Sequence, residues 1–148
     1  MSIRDKRVRR ELDRYPMLRA PAEPWGEVLA LSVPAHNLRI DLTLNYPFAQ
    51  PTFYVNGENV LTRLKTQYMA VRPKVLAYGF DFPCICCRIV ISSTRWAPSE
   101  KIETAIDDYC EWAAHLAELE GYFGVKETLP FDELVHRNVL KYLIIKPT

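Results

Sequence analysis

The sequence predicts an α+β domain with an N-terminal helix, an antiparallel sheet of about four strands, and C-terminal helices. Three observations carry that expectation. Residues 3–15 (IRDKRVRRELDRY) are dense in good helix formers and stop at Pro16, which cannot continue a helix. Residues 38–44 alternate strictly, with Leu38, Ile40, Leu42 and Leu44 on one face and Arg39, Asp41 and Thr43 on the other, the period of a half-buried strand. Residues 99–119 set Ile102, Ile106, Tyr109, Cys110, Ala113, Leu116 and Ala117 at helical spacing, an apolar stripe fit to cover a sheet. Helix, antiparallel strands, then helices is the α+β order.

The elements follow in chain order. Ser2 stands where an N-cap would serve the first helix. Pro16, Pro21 and Pro24 make residues 16–24 an extended connector. Residues 27–33 (EVLALSV) and 38–44 are expected as strands joined by the hairpin loop Pro34-Ala35-His36-Asn37. A third strand is expected at 52–55, after the irregular run Tyr46-Pro47-Phe48-Ala49-Gln50-Pro51, and Asn56-Gly57 is a strong turn signal. Residues 58–71 are expected as a short helix and 72–83 as a loop around Pro73, Gly79 and Pro83. Residues 84–91 (CICCRIVI) are expected as the fourth, buried strand. The helix at 99–119 has Pro98 just before it and Glu100 and Glu103 in its first turn, where the helix dipole favours acids. Gly121 and Gly124 stop it, residues 131–141 read as a last helix, and 142–145 as a terminal strand.

A length of 148 residues fits one domain, spanning 1–148, that can bury a core without staples. A net charge of +1 argues against a nucleic-acid binder, which is usually strongly basic. Residues 1–19 carry seven Lys/Arg against three Asp/Glu, whereas 99–120 carry seven Asp/Glu against one Lys, so the chain offers protein partners one basic and one acidic segment. No apolar run is long enough to cross a bilayer and none follows the basic N-terminus, so neither a membrane span nor a secretory signal is expected. Three of the four cysteines lie in Cys84-Ile85-Cys86-Cys87, too close together for a spread disulfide framework, which points to a reducing, cytoplasmic setting. Zinc is disfavoured there, because structural sites prefer Cys-x₂₋₄-Cys spacing and adjacent cysteines on a strand diverge. No metal and no cofactor is expected.

Three segments, in this order, resemble ubiquitin-conjugating enzymes (E2s). Tyr46-Pro47-Phe48-Ala49-Gln50-Pro51 is similar to the family's Tyr-Pro-Phe-x-x-Pro. Ile85-Cys86-Cys87-Arg88-Ile89-Val90 resembles the Ile-Cys-Leu-Asp-Ile-Leu around its active cysteine. Trp96-Ala97-Pro98-Ser99-Glu100-Lys101-Ile102 resembles the Trp-Ser-Pro-Ala-x-x-Ile that opens the following helix. The basic first helix is similar too, and the likeness is nearest to divergent E2-like proteins of large DNA viruses. It covers about residues 3–120 and implies the UBC-like fold; residues 121–148 depart from it. The family's Tyr-Glu-Gly-Gly-x-Phe flap has no counterpart at Pro34-Ala35-His36-Asn37, and its His-Pro-Asn is met only by Arg72-Pro73-Lys74.

The resemblance implies a chemistry. An E2 carries ubiquitin or a ubiquitin-like modifier as a cysteine thioester, which requires a thiolate nucleophile and a donor for the developing oxyanion. Cys86 matches the family's cysteine, with Cys87 second; Cys84 and Cys110 fit better as buried structural residues. Lys74 would supply charge but not the fixed amide of the family's Asn, a loss that typically costs about 10²–10³ in rate. Phe48 and Pro98 match the loops that meet E3 ligases, and the helix bearing Arg7 and Arg10 matches the element that engages the E1. Tyr46 and Trp96 fit better as residues that pack their loops onto the sheet. The second function compatible with the sequence is a UBC-fold binding or structural module without catalysis, such as an inactive E2 variant or an RWD-like domain, with a protein partner of its own and a place in a larger viral assembly.

Overall fold

The structure is a computed structural model that describes residues 2–77, 79–123 and 144–145. The first helix, α1 (Ile3–Arg14), starts where Ser2 Oγ accepts the Asp5 N–H at 3.1 Å, so the expected N-cap is in place. Arg4, Val8 and Glu11, at helical spacing, form its buried stripe, while Lys6, Arg9, Arg10 and Arg14 face outward. A buried arginine needs partners, and Arg4 has them: its guanidinium donates to the carbonyls of Gly26 (2.8 Å) and Glu27 (2.9 Å), and to the Asp5 carboxylate (2.9 Å). Those bonds pin α1 to the chain leading into the sheet.

The sheet is an antiparallel meander in the order β1 (Leu29–Val33), β2 (Leu38–Leu42), β3 (Thr52–Val55) and β4 (Glu58–Asn59). Leu31 opposes Ile40, which opposes Phe53, so the alternating apolar residues of three strands stack on one face. Both turns fall where expected. Asn37, at φ 52°, closes the Pro34–His36 turn between β1 and β2. Asn56 (φ 51°) and Gly57 (φ 81°) form the tight β3–β4 connection that requires two positive-φ residues.

Two expectations fail here. The fourth strand is Glu58–Asn59, not residues 84–91. Ile89, Val90 and Ile91 are buried in succession, which breaks strand alternation, and the Val90 N–H donates to Asp108 Oδ2 at 2.9 Å, away from any ladder. Cys84 instead leads into a 3₁₀ turn, Ile85–Cys87, anchored by buried Ile85. The expected loop at 72–83 is also helical for much of its length: α2 (Val60–Ala77) runs straight through Pro73. Its buried residues Val60, Leu64, Tyr68, Val71 and Val75 keep one stripe going on both sides of the proline. Packing of that stripe offsets the single backbone bond that Pro73 removes.

The long C-terminal helix, α3 (Ile102–Phe123), packs against α2 and reaches β3 through an edge-on contact between Phe53 and Tyr109, with ring centres 6.1 Å apart. The core is one cluster joining the inner sheet face, α2, the 85–91 segment and α3, with Trp112 among its largest buried side chains. A second, two-stranded antiparallel sheet pairs β5 (Phe80–Asp81) with β6 (Ile144–Ile145), so part of the expected terminal strand at 142–145 is present. The helix expected at 131–141 lies outside the described residues. Among the described residues, no helix is long and apolar enough to cross a membrane.

Candidate functional site

Two neighbouring features contain the residues singled out by sequence. The first is a face built from α1 and two loops. Arg7 donates to the Pro98 carbonyl at 2.7 Å and also to the Glu100 carbonyl, which fastens the 96–100 segment to α1. Trp96 Nε1 donates to the Pro47 carbonyl at 2.7 Å, and the Tyr46 and Trp96 rings lie 6.0 Å apart, which joins that segment to the 46–48 loop. Tyr46 is buried and Trp96 half-buried, so both pack their loops into place as expected. Phe48 and Pro98 are exposed instead. Phe48 is 66% and Ile3 63% exposed, and a shallow depression lined by Ile3, Lys6, Arg7, Arg10 and Pro47 lies on this face. Arg7 and Arg10 also line the adjoining hollow with Arg14, Ser99 and Lys101. The four expected partner residues thus share one region, apolar at Ile3 and Phe48 and basic between.

Beneath this face lies a residue that sequence reasoning missed. Glu11 is buried, and its carboxylate accepts from the Tyr46 hydroxyl at 2.6 Å and from the Ile102 N–H at 2.7 Å. Burial first, then the Glu11 charge, push the Tyr46 pKa upward, which keeps the phenol a donor. The available signal was an acid on the stripe shared by Arg4 and Val8.

The second feature is the cysteine turn. Cys84 and Cys87 are exposed and Cys86 is half-buried; Cys84 and Cys86 are joined by a disulfide, and Cys87 is a free thiol. Cys87 Sγ lies 4.0 Å from Cys86 Sγ, and the three sulfurs all fall within 4.8 Å of one another. A strand would send Cys87 to the opposite face; the 3₁₀ turn gathers all three instead. The turn is braced from behind: the Cys86 carbonyl accepts from Thr94 Oγ1 at 2.5 Å and from the Ser92 hydroxyl. Ser92 in turn accepts the Trp96 N–H through its carbonyl at 2.9 Å, which links the turn to the 96–100 segment. Cys110 stands apart on α3, half-buried, its thiol pKa raised by burial and then by Asp107.

Lys74 is exposed on α2 and does not occupy a loop before the cysteines. Arg72, also on α2, donates through Nε to the Phe82 carbonyl at 3.3 Å, and Tyr68 donates to the same oxygen at 2.5 Å. Compared with protein-family models, curated proteins and solved structures, the chain finds no match in any of the three.

Proposed function

We propose that this chain is a divergent E2-like protein of the UBC-like fold. It docks protein partners on the α1 face and accepts ubiquitin or a ubiquitin-like modifier as a thioester on Cys86. The observation that carries the reading is the convergence of Arg7, Arg10, Phe48 and Pro98 in one region, as the resemblance requires of the elements that meet E1 and E3 proteins. The antiparallel meander after α1, and the cysteine turn, exposed at Cys87, half-buried at Cys86 and tied through Ser92 to the Trp96 segment, add support.

In the proposed reaction the Cys86 thiolate attacks the carbonyl carbon of the modifier's thioester on the E1. A new carbon–sulfur bond forms at Cys86, the old one breaks, and the E1 thiolate leaves. A lysine amine then displaces Cys86 and loses its proton to solvent. Loading starts from the reduced chain, because the Cys84–Cys86 disulfide engages the same sulfur. Incubation of reduced chain with E1, ATP and modifier is expected to give an adduct that a thiol reductant releases. Cys86→Ser is expected to turn it into a reductant-stable ester, since oxygen replaces sulfur at the attacked carbonyl.

Two observations favour a second reading, a binding module without catalysis: the disulfide that holds Cys86, and the placement of Lys74 on a helix with no amide donor at its tip. No adduct from the reduced chain across a panel of E1 and modifier pairs, with Phe48-dependent partner binding retained, would leave that reading standing.

A further inference from the structure

We infer that the reduced Cys84, Cys86 and Cys87 turn is a binding site for one thiophilic divalent cation of the zinc class. Two sequence arguments stand against such a site: the preference for Cys-x₂₋₄-Cys spacing, which Cys84 and Cys87 in fact meet, and the divergence of neighbouring strand cysteines. The second loses its basis in a 3₁₀ turn, where all three sulfurs lie within 4.8 Å of one another. Zinc–sulfur bonds of about 2.3 Å in tetrahedral geometry set ligand sulfurs about 3.8 Å apart. Cys86 and Cys87 already stand at 4.0 Å, and Cys84 and Cys86, held together by their disulfide in this structure, are freed by reduction to take the same spacing.

The backbone is also held for the purpose. Ile85 is buried, its carbonyl accepts the Arg88 and Ile89 N–H groups at 2.9 Å each, and the Cys86 carbonyl is fixed by Ser92 and Thr94. Supporting bonds of this kind orient ligands and raise metal affinity. Cys84 and Cys87 are exposed, so a fourth coordination position opens to solvent and takes water.

Metal and disulfide are mutually exclusive here, because both use the sulfurs of Cys84 and Cys86. A dithiol reductant opens the disulfide: it becomes a cyclic disulfide itself, and its two electrons and two protons pass to the two cysteine sulfurs. The cation then displaces the three thiol protons into solvent. The site does not depend on the thioester reading, and its test uses no component of ubiquitin transfer.

The test titrates Co²⁺ into the full reduced chain without oxygen, after removal of the dithiol. One ion per chain is expected, with a thiolate-to-cobalt charge-transfer band that Zn²⁺ abolishes. Cys84→Ser and Cys87→Ser are each expected to weaken binding by more than the about 10–100-fold that loss of a supporting residue costs. Cys110→Ser should change nothing, and the oxidised chain should give no band. Absence of the band in the reduced chain, a band insensitive to both serine variants, or one ion per two chains would overturn the site. Wild-type chain provides a check free of folding artefacts. Saturating Zn²⁺ should protect the three turn cysteines from alkylation and leave Cys110 unprotected; unchanged labelling of the turn overturns the inference.

Discussion

Glu11 on α1 caps α3: its Oε1 accepts the backbone N–H of Ile102 at 2.7 Å, across 91 residues of chain. A carboxylate at a helix N-terminus is favourable both as an acceptor and against the helix dipole. Because Glu11 Oε2 also accepts from Tyr46, one side chain sets the relative positions of the first helix, the 46–48 loop and the last described helix.

Glu11→Ala should therefore strand a buried phenol and a buried N–H together, and lower stability by about 2–4 kcal/mol. Glu11→Gln keeps one carbonyl acceptor and should cost less. Tyr46→Phe removes only one bond and should cost about 1 kcal/mol. Urea unfolding of the singles and the Glu11/Tyr46 double variant measures the coupling; additive effects would show that the two do not act as a unit.

Phe48 and Arg7 belong to the same face but should respond differently. Phe48 is exposed, so Phe48→Ala should leave stability within about 0.5 kcal/mol of wild type and weaken partner binding by about 1–2 kcal/mol. Arg7 holds the Pro98 and Glu100 carbonyls, so Arg7→Ala should loosen the 96–100 segment and reduce stability measurably. A large stability loss in Phe48→Ala, on the order of 3–5 kcal/mol, would mark Phe48 as core and remove it from the proposed docking surface.

What was legible in the sequence was whatever local pattern dictates. The Asn56-Gly57 turn and the α1 cap are each decided within a few residues and are present, as is the β2 alternation through Leu42, whereas Leu44, expected on the same face, lies past the end of the strand and is exposed. Tertiary contacts decided the rest. Residues 84–91 carry strand-like composition, yet Asp108 on α3 takes the Val90 N–H and the chain turns. Pro73 reads locally as a breaker, but the stripe from Val60 to Val75 overrides it. On α3 the expected stripe included Ala117, which is exposed, and omitted Trp112 and Leu119, which are buried. In the cysteine turn, the grouping of three thiols was not legible. That grouping depends on the turn, and the turn depends on Ser92, Thr94 and Asp108.

His115 supplies a pH dependence. It is buried, and burial, followed by repulsion from Arg88, lowers its pKa from the ordinary value of about 6.5 to about 4. Between those values the unfolded chain binds a proton that the folded chain refuses, so stability rises with pH across that interval. The contribution is fully present above about pH 6.5 and is lost as pH falls toward 4, by on the order of 3 kcal/mol. Urea midpoints at pH 7.5 and pH 5 should differ accordingly, and His115→Gln should shrink the difference. An unchanged difference in that variant would assign the pH dependence to other groups.

Thiol labelling should rank the four cysteines by environment. In the oxidised chain Cys87 is the exposed free thiol and should alkylate first, while Cys84 and Cys86 are closed to the reagent by their disulfide. Cys110 is half-buried, and burial together with Asp107 disfavours its thiolate, the reactive form. It should label at least about tenfold more slowly than Cys87 at neutral pH and gain rate as the pH rises beyond the usual thiol range. Reduction should then open Cys84 and Cys86 together, because they share one bond. Peptide mass spectrometry after timed alkylation reads all four sites at once. If Cys86 labels without prior reduction, the Cys84–Cys86 pairing is wrong and the thiol proposed to carry the modifier is free from the outset. If Cys84 pairs with Cys87 instead, Cys86 is the open thiol, and loading of the modifier should no longer require a reductant.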